Sequence, residues 1–133
     1  TLLYVTMNLP LAVWMLRSFL KEIPKELVEA AELDGASTPK IIFQVLAPIS
    51  LPGIAATALI SFIFTWNEFL MAINLTGFHA ATGPVYLVSF ITAEGLFFAH
   101  LAAVSIVVSL PVVIAGWVAQ DKLVRGLALG AVK

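Results

Sequence analysis

The chain has 133 residues, 61% of them hydrophobic and only 11% charged, and its formal net charge is -1 from seven Lys and Arg against eight Asp and Glu. A soluble domain is about half apolar and a quarter charged, so an ordinary water-exposed globule and a disordered tail are excluded. The near-neutral balance excludes a basic field for nucleic acid, and the lack of cysteine removes disulfides, thiolate nucleophiles and cysteine zinc sites. The chain is expected to be all-α, a portion of a longer polytopic transmembrane helical bundle.

Residues 1–16 carry no charge. They read as the end of one span, 1–19, which Pro10 is expected to kink. Residues 17–40 hold nine charges: Arg17, Lys21, Glu22, Lys25, Glu26, Glu29, Glu32, Asp34 and Lys40. This segment, 20–44, is the informative loop. Pro24 suits the first turn of a helix, and Glu22 and Glu26 suit its N-terminus. A short helix is predicted over 24–33, stopped by Gly35, which takes positive φ without steric cost. Ser37 or Thr38 then caps a second helix with Pro39 in its first turn. Leu27, Ala30, Ala31 and Asp34 follow helical spacing and form a stripe whose small residues permit close approach. Glu26, Glu29 and Glu32 are expected to project elsewhere. Such an element is either a docking surface or an ordinary amphipathic connector.

Residues 41–67 are 27 positions without a charge, and residues 95–120 are 26 more. A helix of that length is about 40 Å long, and the hydrocarbon core needs only about 20 residues. A charge at the bilayer centre costs roughly 2.5–3.5 kcal/mol, which gives such runs their physical reason. The predicted spans are 45–70 and 95–119, joined by an outer loop, 71–94, and followed by a tail, 120–133. Pro48, Pro52 and Gly53 mark a bend where the first of these spans enters the membrane. Its small residues Ala55, Ala56, Ala58 and Ser61 serve helix packing or a pore lining. Within the outer loop, 84–91 is expected to form a short interfacial helix. Pro111 is expected to kink the last span.

Basic residues set the orientation. Four lie in 17–40 and three in the tail, and none in 68–94. The 17–40 loop and the C-terminus are therefore expected in the cytoplasm, with the two spans forming a hairpin. Trp14 and Trp117 fall near the inner boundary and Trp66 near the outer one. His79 and His100 have no ligand-like spacing to carboxylates, and no hydrolase, zincin or phosphate-loop motif occurs. No metal, cofactor or catalytic residue is expected in this chain. Glu68 and Glu94 read as boundary residues, and His100 as a packing histidine or a pore-lining one.

Glu29-Ala30-Ala31, three residues, Gly35, nine residues, then Val45-Leu46-Ala47-Pro48 resembles the EAA loop of binding-protein-dependent ATP-binding-cassette (ABC) importer permeases. It departs from that pattern only at Val45 and Ala47, both still apolar. Phe64-Thr65-Trp66-Asn67-Glu68-Phe69-Leu70 and the tail from Leu123 through Gly130 to Lys133 are similar to MalG-like carbohydrate permeases. The resemblance implies the type I importer fold and the C-terminal part of a six-span subunit in a bacterial or archaeal cytoplasmic membrane. It implies a carbohydrate as solute (oligosaccharide, disaccharide or sugar alcohol), with a polyamine or phosphate ester as the alternative. A non-transport scaffold and a membrane enzyme are the readings from other classes. The partners it implies are a second, non-identical permease subunit, an extracytoplasmic binding protein, and two ABC ATPase subunits that carry the ATP and Mg. Glu29, Ala30, Ala31, Asp34 and Gly35 would dock on the ATPase. Leu127, Gly130 and Val132 would be tail contacts to it. Asn67 and Glu68 would face the outer mouth or the binding protein, or else cap a helix end.

Overall fold

The computed structural model describes residues 2–76, 80–92 and 95–131, with side chains as far as residue 120. His79, Glu94 and Val132 lie outside the described residues. Leu127 and Gly130 lie on the last helix, beyond the described side chains.

The fold is helical, as the charge-free runs predict. In chain order the helices are α1 (Leu2–Lys21), α2 (Lys25–Leu33), α3 (Thr38–Ile41), a π-helical turn (Ile42–Leu46), α4 (Ala47–Ile49), α5 (Leu51–Trp66), α6 (Leu70–Leu75), α7 (Gly83–Val88) and α8 (Phe98–Ala131). One two-residue antiparallel pair interrupts them, with Ile91 opposite Leu96 and Thr92 opposite Gly95. It displaces the start of the last helix from the expected residue 95 to Phe98. Helix α1 runs on to Lys21, and both Pro10 and Pro111 sit inside unbroken helices. α1 and the Phe98–Gln120 part of α8 are each long and apolar enough to cross a membrane. Thr38–Ile49 and Leu51–Trp66 pass the same test only when taken together, with a bend of 75° between them, the geometry of a broken span or of a re-entrant loop. Helices suit this medium because their main-chain polar groups are satisfied within the segment.

The chain divides into two compact units, residues 1–61 with 119–133, and residues 62–118. In the first unit the bend falls at Ser50, between Pro48 and Pro52. Pro52 has no N–H to give to the carbonyl one turn back, so the α-helical ladder is broken there. Ahead of the bend the Ala47 N–H reaches the Ile42 carbonyl, an i to i+5 bond that defines the π turn. Gly53 is buried and faces Phe19 of α1. A Cβ at Gly53 would run into the Phe19 ring, so glycine permits the approach of the two helices. One turn on, the buried Thr57 hydroxyl donates to the Gly53 carbonyl at 2.8 Å.

Large apolar side chains stay outside. Trp14 is 68% exposed and Trp117 71%. In water such surfaces would be unstable; in a bilayer they face lipid or neighbouring helices.

Candidate functional site

Helix α2 begins after Pro24, which stands at the N-cap and not in the first turn as expected. Its end is a Schellman closure. The Gly35 N–H bonds the Glu32 carbonyl at 2.9 Å and the Ala36 N–H bonds the Ala31 carbonyl at 3.0 Å. Gly35 has φ +75 with nothing near its α-carbon that a Cβ would strike. Conformation, and not space, therefore demands glycine here. Ser37 is the N-cap of α3, with no side-chain cap bond.

The stripe expected on α2 is split by the structure. Val28 and Ala31 are half-buried and turn toward the rest of the first unit, whereas Ala30 and Asp34 are exposed. Leu27 is 42% exposed and Leu33 89%. The outward face is thus Leu27, Ala30, Leu33 and Asp34, with Glu26 beside them. Ala31 belongs to the other side because it lies one turn from Val28, which anchors the helix. Glu29 and Glu32 line a groove of about 390 Å³ with Leu20, Ile23, Lys25, Val28 and Leu46. Of the residues singled out, Leu33 is the one that spacing missed. It follows Ala30 by three residues on the outward side, and its exposure identifies it.

A second candidate region belongs to the 62–118 unit. The Trp66 indole N–H donates to the Val108 main-chain carbonyl at 2.9 Å. Val108 lies ten residues beyond Phe98, so the contact is about 15 Å along α8. The contact thus joins the end of α5 to the middle of the apolar part of α8. Asn67 and Glu68 follow directly. Asn67 Nδ2 donates to the Ile63 carbonyl at 2.9 Å. The Glu68 carboxylate accepts the Met71 N–H at 2.8 Å and the Ala72 N–H at 3.0 Å. Of the roles left open for Glu68, the hydrogen bonds display the helix cap.

Beside this corner is a cavity of about 330 Å³. Trp66 and Asn67 line it with Pro84, Ser105, Val108 and Ser109. Both serine hydroxyls donate to carbonyls of their own helix, Ser105 to Leu101 at 2.7 Å and Ser109 to Ile106 at 2.9 Å. Each keeps lone pairs for another donor. The sequence signal for this lining is the i, i+4 serine pair on an otherwise apolar helix. His100 sits away from that lining, its ring stacked on Phe90 and edge-on to Phe97, each at 6.2 Å between centroids.

Comparisons with known proteins agree with this architecture. The trehalose transport system permease protein SugB of Mycobacterium tuberculosis is 39% identical over 98% of this chain and 48% of its own length. The trehalose/maltose transport system permease protein MalG of Thermococcus litoralis is also 39% identical, over 98% of this chain and 48% of its own. The diacetylchitobiose uptake system permease protein DasC of Streptomyces coelicolor is 36% identical over 100% of this chain and 49% of its own. The chain therefore spans about half the length of these curated relatives. Residues 1–125 match the family model for the binding-protein-dependent transport system inner membrane component, and it is to this family that the chain, with its bent span and glycine-closed loop helix, belongs.

Proposed function

We propose that the chain is part of a membrane-spanning permease subunit of an ABC importer that translocates a carbohydrate delivered by an extracytoplasmic binding protein. The observation that carries this reading is the outward face of α2. It is an exposed row of Leu27, Ala30, Leu33 and Asp34 on a helix that Gly35 terminates. An exposed leucine on a rigid cytoplasmic helix needs a partner surface. A groove on an ATPase subunit is that partner, with Glu29 offered to a basic residue beside it. ATP and Mg belong to two such ATPase subunits, and this chain performs no bond-making chemistry. Motion enters at α2, passes through α3 and the π turn, and reaches the span beyond the Ser50 bend. A second permease subunit, non-identical, completes the pathway, and the two halves alternate access between the faces of the membrane.

Residues 17–40 and the C-terminus lie in the cytoplasm on the placement of Lys and Arg. The tail positions Leu127, Gly130 and Val132 approach the ATPases. Asn67, exposed at the cavity beside Trp66, and the two serines of α8 supply contacts for the solute. A sugar suits such a lining, because its hydroxyls donate to amide and hydroxyl oxygens while its C–H faces lie on apolar walls. The relatives named for trehalose, maltose and diacetylchitobiose favour a disaccharide-sized solute.

The test is reconstitution of the full-length subunit with its partner permease, ATPases and binding protein in liposomes. Glu29→Lys and Gly35→Pro are expected to uncouple binding-protein-stimulated ATP hydrolysis from uptake of labelled trehalose or maltose while membrane insertion persists. Unchanged coupling in both would reject the docking role. Absence of disaccharide uptake by the wild-type assembly would reject the solute class.

A further inference from the structure

The corner between α5 and α6 is closed by two adjacent side chains that serve opposite helix ends. Asn67 donates to the Ile63 carbonyl at the end of α5, and Glu68 accepts the Met71 and Ala72 N–H groups at the start of α6. The first N–H groups of a helix have no partner within it. Phe69, at the N-cap of α6, makes no side-chain cap bond, so the residue before it does this work. Ala72 is only 1% exposed. An unmet N–H there would be buried without water, and a charged acceptor binds it more strongly than a neutral one. Each oxygen of the carboxylate is engaged in turn, which is the condition for holding an acidic group in apolar surroundings.

We infer that Glu68 is a positioning residue for translocation: by bonding two main-chain N–H groups across the corner, it fixes the direction in which α6 leaves α5 and so holds Trp66 and Asn67 as one wall of the cavity. This rests on the transport reading above. What is required is an acceptor placed over the start of α6. Asp, Asn and Ser provide such an acceptor at a helix start, whereas Leu provides none.

The experiment uses the complete transporter with the full-length subunit carrying Glu68→Asp, Glu68→Asn, Glu68→Ser or Glu68→Leu. Uptake is normalised to assembled complex in the membrane. Spin labels at Phe64 and Ile73, both exposed, report the corner through their distance distribution. Asp, Asn and Ser are expected to retain uptake within about threefold of wild type with a narrow distribution, because each keeps a cap acceptor. Leu is expected to lose uptake by about tenfold or more and to broaden the distribution, while stimulated ATP hydrolysis continues. If Leu prevents assembly, the Asn and Ser arms decide: retained uptake supports the role and its loss overturns it. Failure of Asn and Ser alongside full activity of Asp would overturn it too, since charge would then be the requirement. Wild-type uptake with Leu ends it outright. The distance measurement is read without substrate, so a wrong solute assignment, visible as missing sugar uptake in wild type, remains separable from a wrong role for Glu68.

Discussion

Trp66 and Val108 are joined across 42 residues of sequence by an indole N–H to main-chain carbonyl bond of 2.9 Å. The bond lands three residues before Pro111, whose missing N–H leaves the adjacent Val107 carbonyl without its helical donor. Val108 is also where α7 approaches α8, since a Cβ at Gly83 would lie 2.7 Å from Val108 Cγ1. One residue of α8 thus receives the end of α5 through its backbone and the start of α7 through its side chain. Trp66→Phe keeps the ring beside Phe62, 5.5 Å between centroids, and deletes only the donor. It is expected to lower stability by about 1 kcal/mol. Thermal unfolding of the detergent-purified transporter reads this as a melting point lower by a few degrees, with Trp66→Ala falling further. An unchanged melting point for both would show that the bond holds nothing.

The approach of α1 to the bent span makes a second prediction. Gly53→Ala places a methyl group inside the Phe19 side chain, and both the ring and its Cβ must shift to admit it. Overpacking of this kind costs about 1–3 kcal/mol. Phe19→Ala alone should also destabilise by loss of packing. The pair together should be less damaging than the sum, with a coupling of about 1 kcal/mol or more. Strict additivity in thermal unfolding would mean that the two helices do not meet through these residues.

On α2 the two faces should separate stability from coupling. Ala31 is half-buried, and Ala31→Glu would place a carboxylate against the first unit, so assembly of the subunit is expected to fail or weaken. Leu33 is 89% exposed. Leu33→Asp should therefore leave stability within about 0.5 kcal/mol of wild type while sharply reducing binding-protein-stimulated ATP hydrolysis. Normal stimulation in Leu33→Asp would remove the outward face from the docking surface.

Much of the first unit was legible in the sequence because its signals are local. Proline and glycine act on their own backbone, so the α2 stop at Gly35 and the bend between Pro48 and Pro52 could be placed residue by residue. Helical spacing put Leu27, Ala30, Ala31 and Asp34 on one stripe, yet it could not say which edge of that stripe would turn inward. That choice depends on Val28 meeting the rest of the unit, a tertiary matter, and it moved Ala31 away and brought Leu33 in. The cavity beside Trp66 was illegible for the same reason. Its lining joins residues 66 and 67 to 84, 105, 108 and 109, and neither periodicity nor composition carries the register between distant helices. For Glu68 the helix cap was one of the roles the sequence left open, and only the geometry of the corner displays it.

Ser50 supplies the sharpest stability prediction. It is 6% exposed, and its hydroxyl has no hydrogen-bond partner among the described residues. Its main chain is satisfied, with the N–H on the Leu46 carbonyl and its own carbonyl on the Ile54 N–H, both at 2.9 Å. The side-chain oxygen is thus a desolvated group at the vertex of the 75° bend, and removing it should help. Ser50→Ala is expected to stabilise the subunit by about 1 kcal/mol, the smaller end of the penalty for an unmet buried polar group. Differential scanning of wild type and variant in the same detergent measures it. A rise in melting point without loss of uptake would assign the hydroxyl no part in the transport cycle. A rise accompanied by slower uptake would mean that the bend opens during transport and that the hydroxyl finds its partner in the other state. A fall would mean that the assembled transporter already satisfies it, and the bend would then be a fixed corner.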